Sequence, residues 1–239
     1  MLRTGLHAER QIDLKSPFDV VSEMDRAVEQ FLVTAIRERF PDHGIVAEEG
    51  HTVEGTNYTW VLDPLDGTNN YVHGYPYFCV SIGVVVDRQP VLGVIYDPLR
   101  DELFTAEQGH GATCNQRPLH VSATTTLAKS LLSTGFPYHF GTQPENNLRQ
   151  FARLQARTQG IRRPGAAALD LAYVACGRAD GHWELVLQPW DLAAGIVLVR
   201  EAGGSVSDWH GHPANPWTSA IVATNGHIHR ELLSELAQA

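Results

Sequence analysis

Two carboxylates separated by a Pro-Leu pair, Asp63 and Asp66, follow an apolar run and precede a glycine in Trp60-Val61-Leu62-Asp63-Pro64-Leu65-Asp66-Gly67-Thr68-Asn69-Asn70. Val61-Leu62 read as buried strand, Pro64 cannot continue a central strand, and Gly67 permits the tight backbone at which amide N–H groups converge on an anion. Asp63 and Asp66 then face one point, where they repel and raise each other's pKa unless a divalent cation sits between them. Hard oxygen donors favour Mg²⁺, Mn²⁺ or Ca²⁺ over zinc. A polar Asp-Gly turn after a strand accounts for the same residues, so the motif alone leaves both readings open.

Two further acids share this character. Asp191 follows Trp190 and precedes Leu192-Ala193-Ala194-Gly195, whose small residues let a helix pack closely. Asp is also a favoured helix N-cap, which explains Asp191 taken alone. Glu48 ends the short apolar run Ile45-Val46-Ala47 and reads equally well as a solvated loop carboxylate. Each gains weight only in company with the others.

The elements that must position these acids can be read from periodicity. Apolar residues at Val21, Met24, Val28, Phe31, Leu32, Ala35 and Ile36 predict an amphipathic helix from Ser16 to about Phe40, stopped at Phe40-Pro41. Ile45–Ala47 and Tyr58–Asp63 are expected strands, so both acidic pairs follow strands. From Phe78 to Val121, apolar runs alternate with turn signals such as Asp87-Arg88-Gln89-Pro90 and Asn115-Gln116-Arg117-Pro118, the pattern of an antiparallel meander. Beyond Leu131-Leu132-Ser133, helical patterns cover 148–156, 166–175 and 192–201, with strands near Ser205-Val206 and Ala220–Ala223. No Pro/Gly/Ser-rich linker intervenes. The expectation is one domain over 1–239, with an α+β front to about residue 125 and an α/β back from about 126, closely docked.

Composition narrows the function classes. The chain has 239 residues, 43% hydrophobic and 19% charged, which is ordinary for a globular enzyme-sized unit. A formal net charge of -9, with no basic run longer than Arg162-Arg163, argues against nucleic acid as a main partner. An acidic protein that binds phosphate needs cations. Cys79, Cys114 and Cys176 are widely spaced, so neither a disulfide framework nor a cysteine zinc site is expected and a reducing cytoplasm fits. No apolar leader is evident and no run approaches about 18 apolar residues, so neither export nor membrane insertion is expected.

Taken together, the acids and their flanks resemble the inositol monophosphatase family of Mg²⁺-dependent, lithium-sensitive phosphatases. The resemblance rests on Trp60 to His73 (WVLDPLDGTNNYVH), Trp190 to Gly204 (WDLAAGIVLVREAGG) and Ala47-Glu48-Glu49. Lys15 to Asp25, Gly165 to Tyr173 and Ile221 to Gly226 are similar to family sequence as well, so the likeness covers nearly the whole chain. It implies an α+β fold, the layered αβαβα sandwich of the inositol monophosphatase and fructose-1,6-bisphosphatase type.

The resemblance also implies roles. Glu48, Asp63, Asp66 and Asp191 would hold metal with the Leu65 carbonyl, Asp63 bridging two ions. Four carboxylates and a phosphate monoester are brought near neutrality by two or three Mg²⁺, with Mn²⁺ a possible substitute. Glu48 and Thr68 would orient and deprotonate the attacking water, and the Gly67 and Thr68 amides would hold the phosphoryl oxygens. Asp25 would hydrogen-bond Thr68, although Ser22-x-x-Asp25 also reads as a capping box. Gly165, Ala167 and Glu184, with Asp66 and Asp191, would contact the substrate; a carboxylate at Glu184 suits a polyol hydroxyl or an ammonium. The function implied is hydrolysis of inositol 1-phosphate or a related sugar-alcohol phosphate by a cytoplasmic homodimer. Alternatives are a histidinol-phosphate phosphatase, a broad sugar phosphatase that includes fructose 1,6-bisphosphate, and a regulatory binding protein that retains the fold.

Some residues invite chemistry without supporting it. None of the twelve histidines forms H-E-x-x-H, and His210-x-His212 and His227-x-His229 sit in polar contexts, so surface histidines are expected. Gly109-His110-Gly111 reads as a turn and Cys79 as core. Arg162-Arg163 suit either the substrate mouth or solvent. Relatives usually begin with a helix of about five turns, whereas Met1–Arg10, broken by Gly5, offers a shortened one or none.

Overall fold

The computed structural model describes residues 1–6, 12–16, 19–137, 141 and 146–239. A single helical turn, α1 (Leu2–Gly5), precedes an antiparallel pair, β1 (Ile12–Ser16) and β2 (Asp19–Ser22). The remainder of the expected short N-terminal helix, His7–Arg10, lies outside the described residues. Helix α2 spans Glu23–Arg39, not Ser16 to Phe40. The apolar period carries on into β2, but Ser22 stops the helix there: its hydroxyl accepts the Met24 N–H, and Asp25 reaches back to the Ser22 amide, which completes a capping box.

An eight-stranded sheet follows. Strands β3 (Gly44–Ala47), β4 (Thr52–Val53) and β5 (Tyr58–Asp66) lead into the short helix α3 (Thr68–Val72). The meander is β6 (Cys79–Val86), β7 (Gln89–Asp97), β8 (Glu102–Glu107), β9 (Gly111–Cys114) and β10 (Arg117–Pro118). The order β10-β9-β8-β7-β6-β5-β3-β4 is antiparallel except where β3 runs parallel to β5. Strand β5 does continue through Pro64, contrary to the sequence expectation. Asp63 pairs with Ser81 and Asp66 with Cys79, so one extra residue bulges out and the proline's missing N–H falls outside the regular ladder.

The second sheet comprises β11 (Leu131–Thr134), β12 (Gly160–Arg162), β13 (Gly181–Leu185), β14 (Ser205–Ser207) and β15 (Ala220–Thr224), in the order β12-β11-β13-β15-β14. Its helices are α4 (Leu148–Gln155), α5 (Ala167–Ala175), α6 (Pro189–Glu201) and α7 (His229–Ala237). Helix α2 packs on β5 from outside, α5 and α6 lie between the sheets, and α4 and α7 pair on the far face. The result is the αβαβα layering.

Helices α5 and α6 are apolar almost all round because both faces are covered; Leu192 to Val199 is buried without a break. Close approach is built into the sheet. A Cβ on Gly83 would come within 2.5 Å of Ala193 Cβ, and one on Gly93 within 2.4 Å of the Ala194 carbonyl oxygen. Helix α6 is therefore pressed onto β6 and β7, which brings its N-terminal Asp191 toward the end of β5. Among the described residues no helix is long and apolar enough to cross a membrane.

Candidate metal centre

Three elements deliver the acids to one point. Strands β3 and β5 run parallel with Ala47 beside Leu62, so the next residues, Glu48 and Asp63, emerge side by side, and the Glu48 amide donates to Leu62 O at 3.2 Å. Asp66 ends β5, and Asp191 occupies the first turn of α6. One carboxylate oxygen from each of Asp63, Asp66 and Asp191 lies within 4.8 Å of the others. Glu48, half-buried, stands outside that trio, yet its charge raises the pKa of both Asp63 and Asp191.

Each carboxylate is anchored by a backbone amide. Asp63 Oδ1 accepts the Leu65 N–H at 2.9 Å, Asp66 Oδ2 accepts the Ala168 N–H at 2.7 Å, and Asp191 Oδ2 accepts the Gln188 N–H at 2.7 Å. Asp191 is not the N-cap expected from its sequence: Gln188 caps α6 because the helix starts earlier, at Pro189, and Asp191 at the third helical position closes the capping box from inside while joining the acidic trio. Asp66 ties the end of β5 to the start of α5, so the trio sits where the two sheets' elements meet.

The electrostatics are those of a cation site. Burial raises Asp63 well above the ordinary carboxylate pKa, with Glu48, Asp66 and Asp191 pushing the same way against the Leu65 amide. Burial first, then Glu184, pushes Asp66 up to about 6 despite the amides of Ala168 and Leu169. Asp191 is raised well above its ordinary value by burial and then by Asp66, Glu48 and Glu184. The neighbouring charges acting on Asp63 are all negative. Carboxylates so arranged are ionised at a cost in stability that a bound cation would offset, and an all-oxygen donor set suits a hard divalent ion such as Mg²⁺. The Leu65 carbonyl lies in the same turn, where it accepts the Thr68 hydroxyl at 3.0 Å.

The glycine-capped turn into α3 adjoins this cluster. Gly67 is left-handed at φ 92° and caps α3; a Cβ there would come within 3.0 Å of Tyr77 O and 3.2 Å of Ala166 Cβ. Thr68 Oγ1 donates to Asp25 Oδ1 at 2.9 Å, and Asp25, fully buried, also accepts from Ser22 N. Asp25 thus both bonds the Thr68 hydroxyl and closes the capping box with Ser22. Gly165, at φ +89°, accepts from Asn70 Nδ2, and Ala167 is buried at the start of α5. Glu184 lies on β13 with its side chain 14% exposed, close enough for its charge to raise Asp66 and Asp191.

Several neighbours were not legible beforehand. Asn70 Nδ2 reaches Tyr77 O at 2.7 Å and Pro164 O at 2.8 Å, stitching α3 to the loop before α5. The Tyr77 hydroxyl donates to buried Asp170 Oδ1 at 2.7 Å. His182 is completely buried beside Glu184, and half-buried His229 bridges Thr224 and Ser207. These two correct the expectation of surface histidines, which holds for His210, His212 and His227. Cys79 is core as expected, with its sulfur 3.6 Å from Asp66 Oδ2.

Known proteins match this chain in sequence and fold. The profile of the inositol monophosphatase family covers residues 1–239. An inositol-1-monophosphatase from Synechocystis sp. is 51% identical over 221 residues, 92% of this chain and 77% of the relative. A protein from Pseudomonas aeruginosa named Nus factor SuhB is 46% identical over 231 residues, 94% of this chain and 85% of that one. The structure of an inositol monophosphatase from Anabaena (Nostoc) sp. superposes with a TM-score of 0.88 at 51% identity, covering 90% of this chain and 86% of that one. Acidic trio, αβαβα layers and these likenesses agree, and the chain belongs to the inositol monophosphatase family, a family of phosphatases.

Proposed function

We propose that this chain is a Mg²⁺-dependent phosphomonoesterase that hydrolyses inositol 1-phosphate or a related sugar-alcohol phosphate. The observation that carries the reading is the trio of buried Asp63 and Asp66 with half-buried Asp191, within 4.8 Å of one another and adjoining the glycine-capped start of α3. Glu48, the trio and the Leu65 carbonyl are the residues that would hold Mg²⁺. Bound there, the cation would offset the carboxylate charge, acidify an attacking water and stabilise the leaving oxygen in an in-line displacement.

The chain's own groups supply the rest. Thr68 gives its hydroxyl hydrogen to Asp25 and the Leu65 carbonyl, which leaves its lone pairs free to accept from the attacking water. Glu48 is suited to take the proton that this water loses. The amides of Gly67 and Thr68, at the start of a helix with no preceding turn to bond, suit the phosphoryl oxygens without any basic side chain. On the leaving-group side, Gly165, Ala167 and Glu184 would face the polyol.

Phosphate release from a panel of phosphomonoesters, with and without chelator, tests the proposal. Inositol 1-phosphate should be turned over, chelator should abolish turnover, Mn²⁺ should partly restore it and millimolar Li⁺ should inhibit. Equal or higher kcat/KM on histidinol phosphate would assign the chain to that substrate instead. A second reading, a regulatory binding protein that retains the fold, draws support from the relative named Nus factor SuhB; absence of turnover on the whole panel would favour it.

A further inference from the structure

Behind Glu184 lies a buried polar group that the proposed chemistry does not use. Strands β11 and β13 run parallel with Ser133 beside His182 and Thr134 beside Trp183. His182 and Glu184 are two residues apart on β13 and so share one face of the sheet, while Trp183 between them belongs to the core on the other side, with Leu154 and Leu232. His182 is fully buried; its Nδ1 lies 2.9 Å from Ser133 Oγ and 3.8 Å from Asp170 Oδ2. Its Nε2 is 3.3 Å from Glu184 Oε2 but misaligned for a hydrogen bond, and it is the one buried side-chain nitrogen or oxygen among the described residues left without one. A buried N–H without an acceptor is costly. A small turn of the Glu184 carboxylate, whose side chain is 14% exposed, would remove that cost.

We propose that His182 is a positioning residue: it holds Glu184 as a charge-paired, acceptor-only carboxylate and thereby selects neutral polyol leaving groups over cationic ones. This inference rests on the proposed function. Burial alone would lower the His182 pKa, but Glu184 and Asp170 raise it on balance, which favours the imidazolium. Asp170 is in turn fixed by the Tyr77 hydroxyl, and Tyr77 O accepts from Asn70 beside the phosphate-side loop. The orientation of Glu184 is thus tied to the rigid end of the site.

The chemical consequence concerns charge. A carboxylate paired with an imidazolium keeps lone pairs for a hydroxyl but offers little net charge to an ammonium. Without His182, the same carboxylate would be bare and loosely held, and the charge it adds to Asp66 and Asp191 would be unopposed.

The test is steady-state kinetics of the Mg²⁺-loaded wild type, H182F and H182Q on inositol 1-phosphate, histidinol phosphate and phenyl phosphate, with thermal melts of each. H182F should raise KM for inositol 1-phosphate by about tenfold, the scale of a lost hydrogen bond to a charged group. Phenyl phosphate, with neither hydroxyl nor ammonium on its leaving group, should change by less than about twofold. The ratio of kcat/KM for histidinol phosphate over inositol 1-phosphate should rise in both variants, because both lose the positive charge. H182Q, which keeps an N–H near the Nε2 position, should recover most of the KM for inositol 1-phosphate. Equal changes on all three substrates, or an unchanged ratio, overturn the inference while leaving the proposed function standing. If H182F does not fold, the ratio in H182Q decides. A wild type that turns over phenyl phosphate but shows no preference for the polyol overturns the substrate reading and this inference together.

Discussion

Removing one of the site's own charges should make the cation-free protein more stable. Asp66 is buried, and its pKa is raised from 3.8 to about 6 by burial and Glu184. At about 1.4 kcal/mol per pKa unit, holding Asp66 ionised in the folded chain without a cation costs about 3 kcal/mol. Because the folded state binds this proton more tightly than the unfolded state, stability falls as pH rises from 3.8 through about 6, and the whole cost is present at higher pH. Asp66→Asn keeps an oxygen for the Ala168 N–H and removes the charge. In chelator at about pH 8, D66N should therefore gain about 3 kcal/mol over wild type, a rise of roughly 6–12 °C in Tm for a chain of this length. At about pH 5 roughly half of that gain should remain, and none well below pH 3.8. Denaturant melts at several pH values in chelator read the gain directly, and saturating Mg²⁺ should reverse the order by stabilising the wild type alone. A D66N protein less stable than wild type in chelator at about pH 8, or a difference independent of pH, would refute the reasoning.

Other substitutions probe the backbone and the water site. Val186, a β-branched residue 49% exposed and held at φ 61°, lies between Glu184 and Asp191. Val186→Gly should stabilise the protein by about 1 kcal/mol in denaturant melts, since the left-handed strain exceeds glycine's extra chain entropy. Gly67→Ala should do the reverse: at φ 92° with Tyr77 O 3.0 Å from the new Cβ, it should lose about 1–2 kcal/mol and raise KM for any phosphomonoester. Thr68→Val keeps the shape but removes the hydroxyl that Asp25 and Leu65 O hold in place. Its kcat should fall by about a hundredfold or more with KM little changed, and a loss below about tenfold would count against Thr68 orienting the water.

The legible part of the site was the part made of neighbours in sequence. Asp63, Asp66 and Gly67 announce themselves because a strand end, a bulge and a left-handed cap all fall within a few residues of β5. The meander was legible for the same reason, each of its strands pairing with the next. Strand β13 escaped notice because its short run, Gly181–Leu185, alternates His182 and Glu184 with Trp183, which masks a buried strand as a polar one. The contacts that lock the site are long-range: Asn70 finds Pro164, 94 residues away, and Tyr77 finds Asp170 at a separation of 93. No local period encodes such pairs. Periodicity alone does not locate the start of α2, because Val21 continues the helical spacing into β2; the Ser22 and Asp25 capping pair marks the true boundary. Pro64 punctuates β5 without ending it. It marks the bulge that turns Asp63 and Asp66 toward one point, not the end of the strand.

The central claim is that Asp63, Asp66 and Asp191 together hold a divalent cation. Calorimetric titration of Mg²⁺ into the cation-free protein at about pH 6.5, repeated in buffers of different ionisation heat, tests it through the protons as well as the affinity. Because all three carboxylates are raised above their ordinary pKa, with Asp66 near 6, Mg²⁺ binding by the wild type should expel protons. Asp63→Asn, whose side-chain oxygen can still accept the Leu65 N–H, should bind Mg²⁺ more than about tenfold more weakly. Binding of equal strength in wild type and D63N, or binding that releases no protons, would contradict the account.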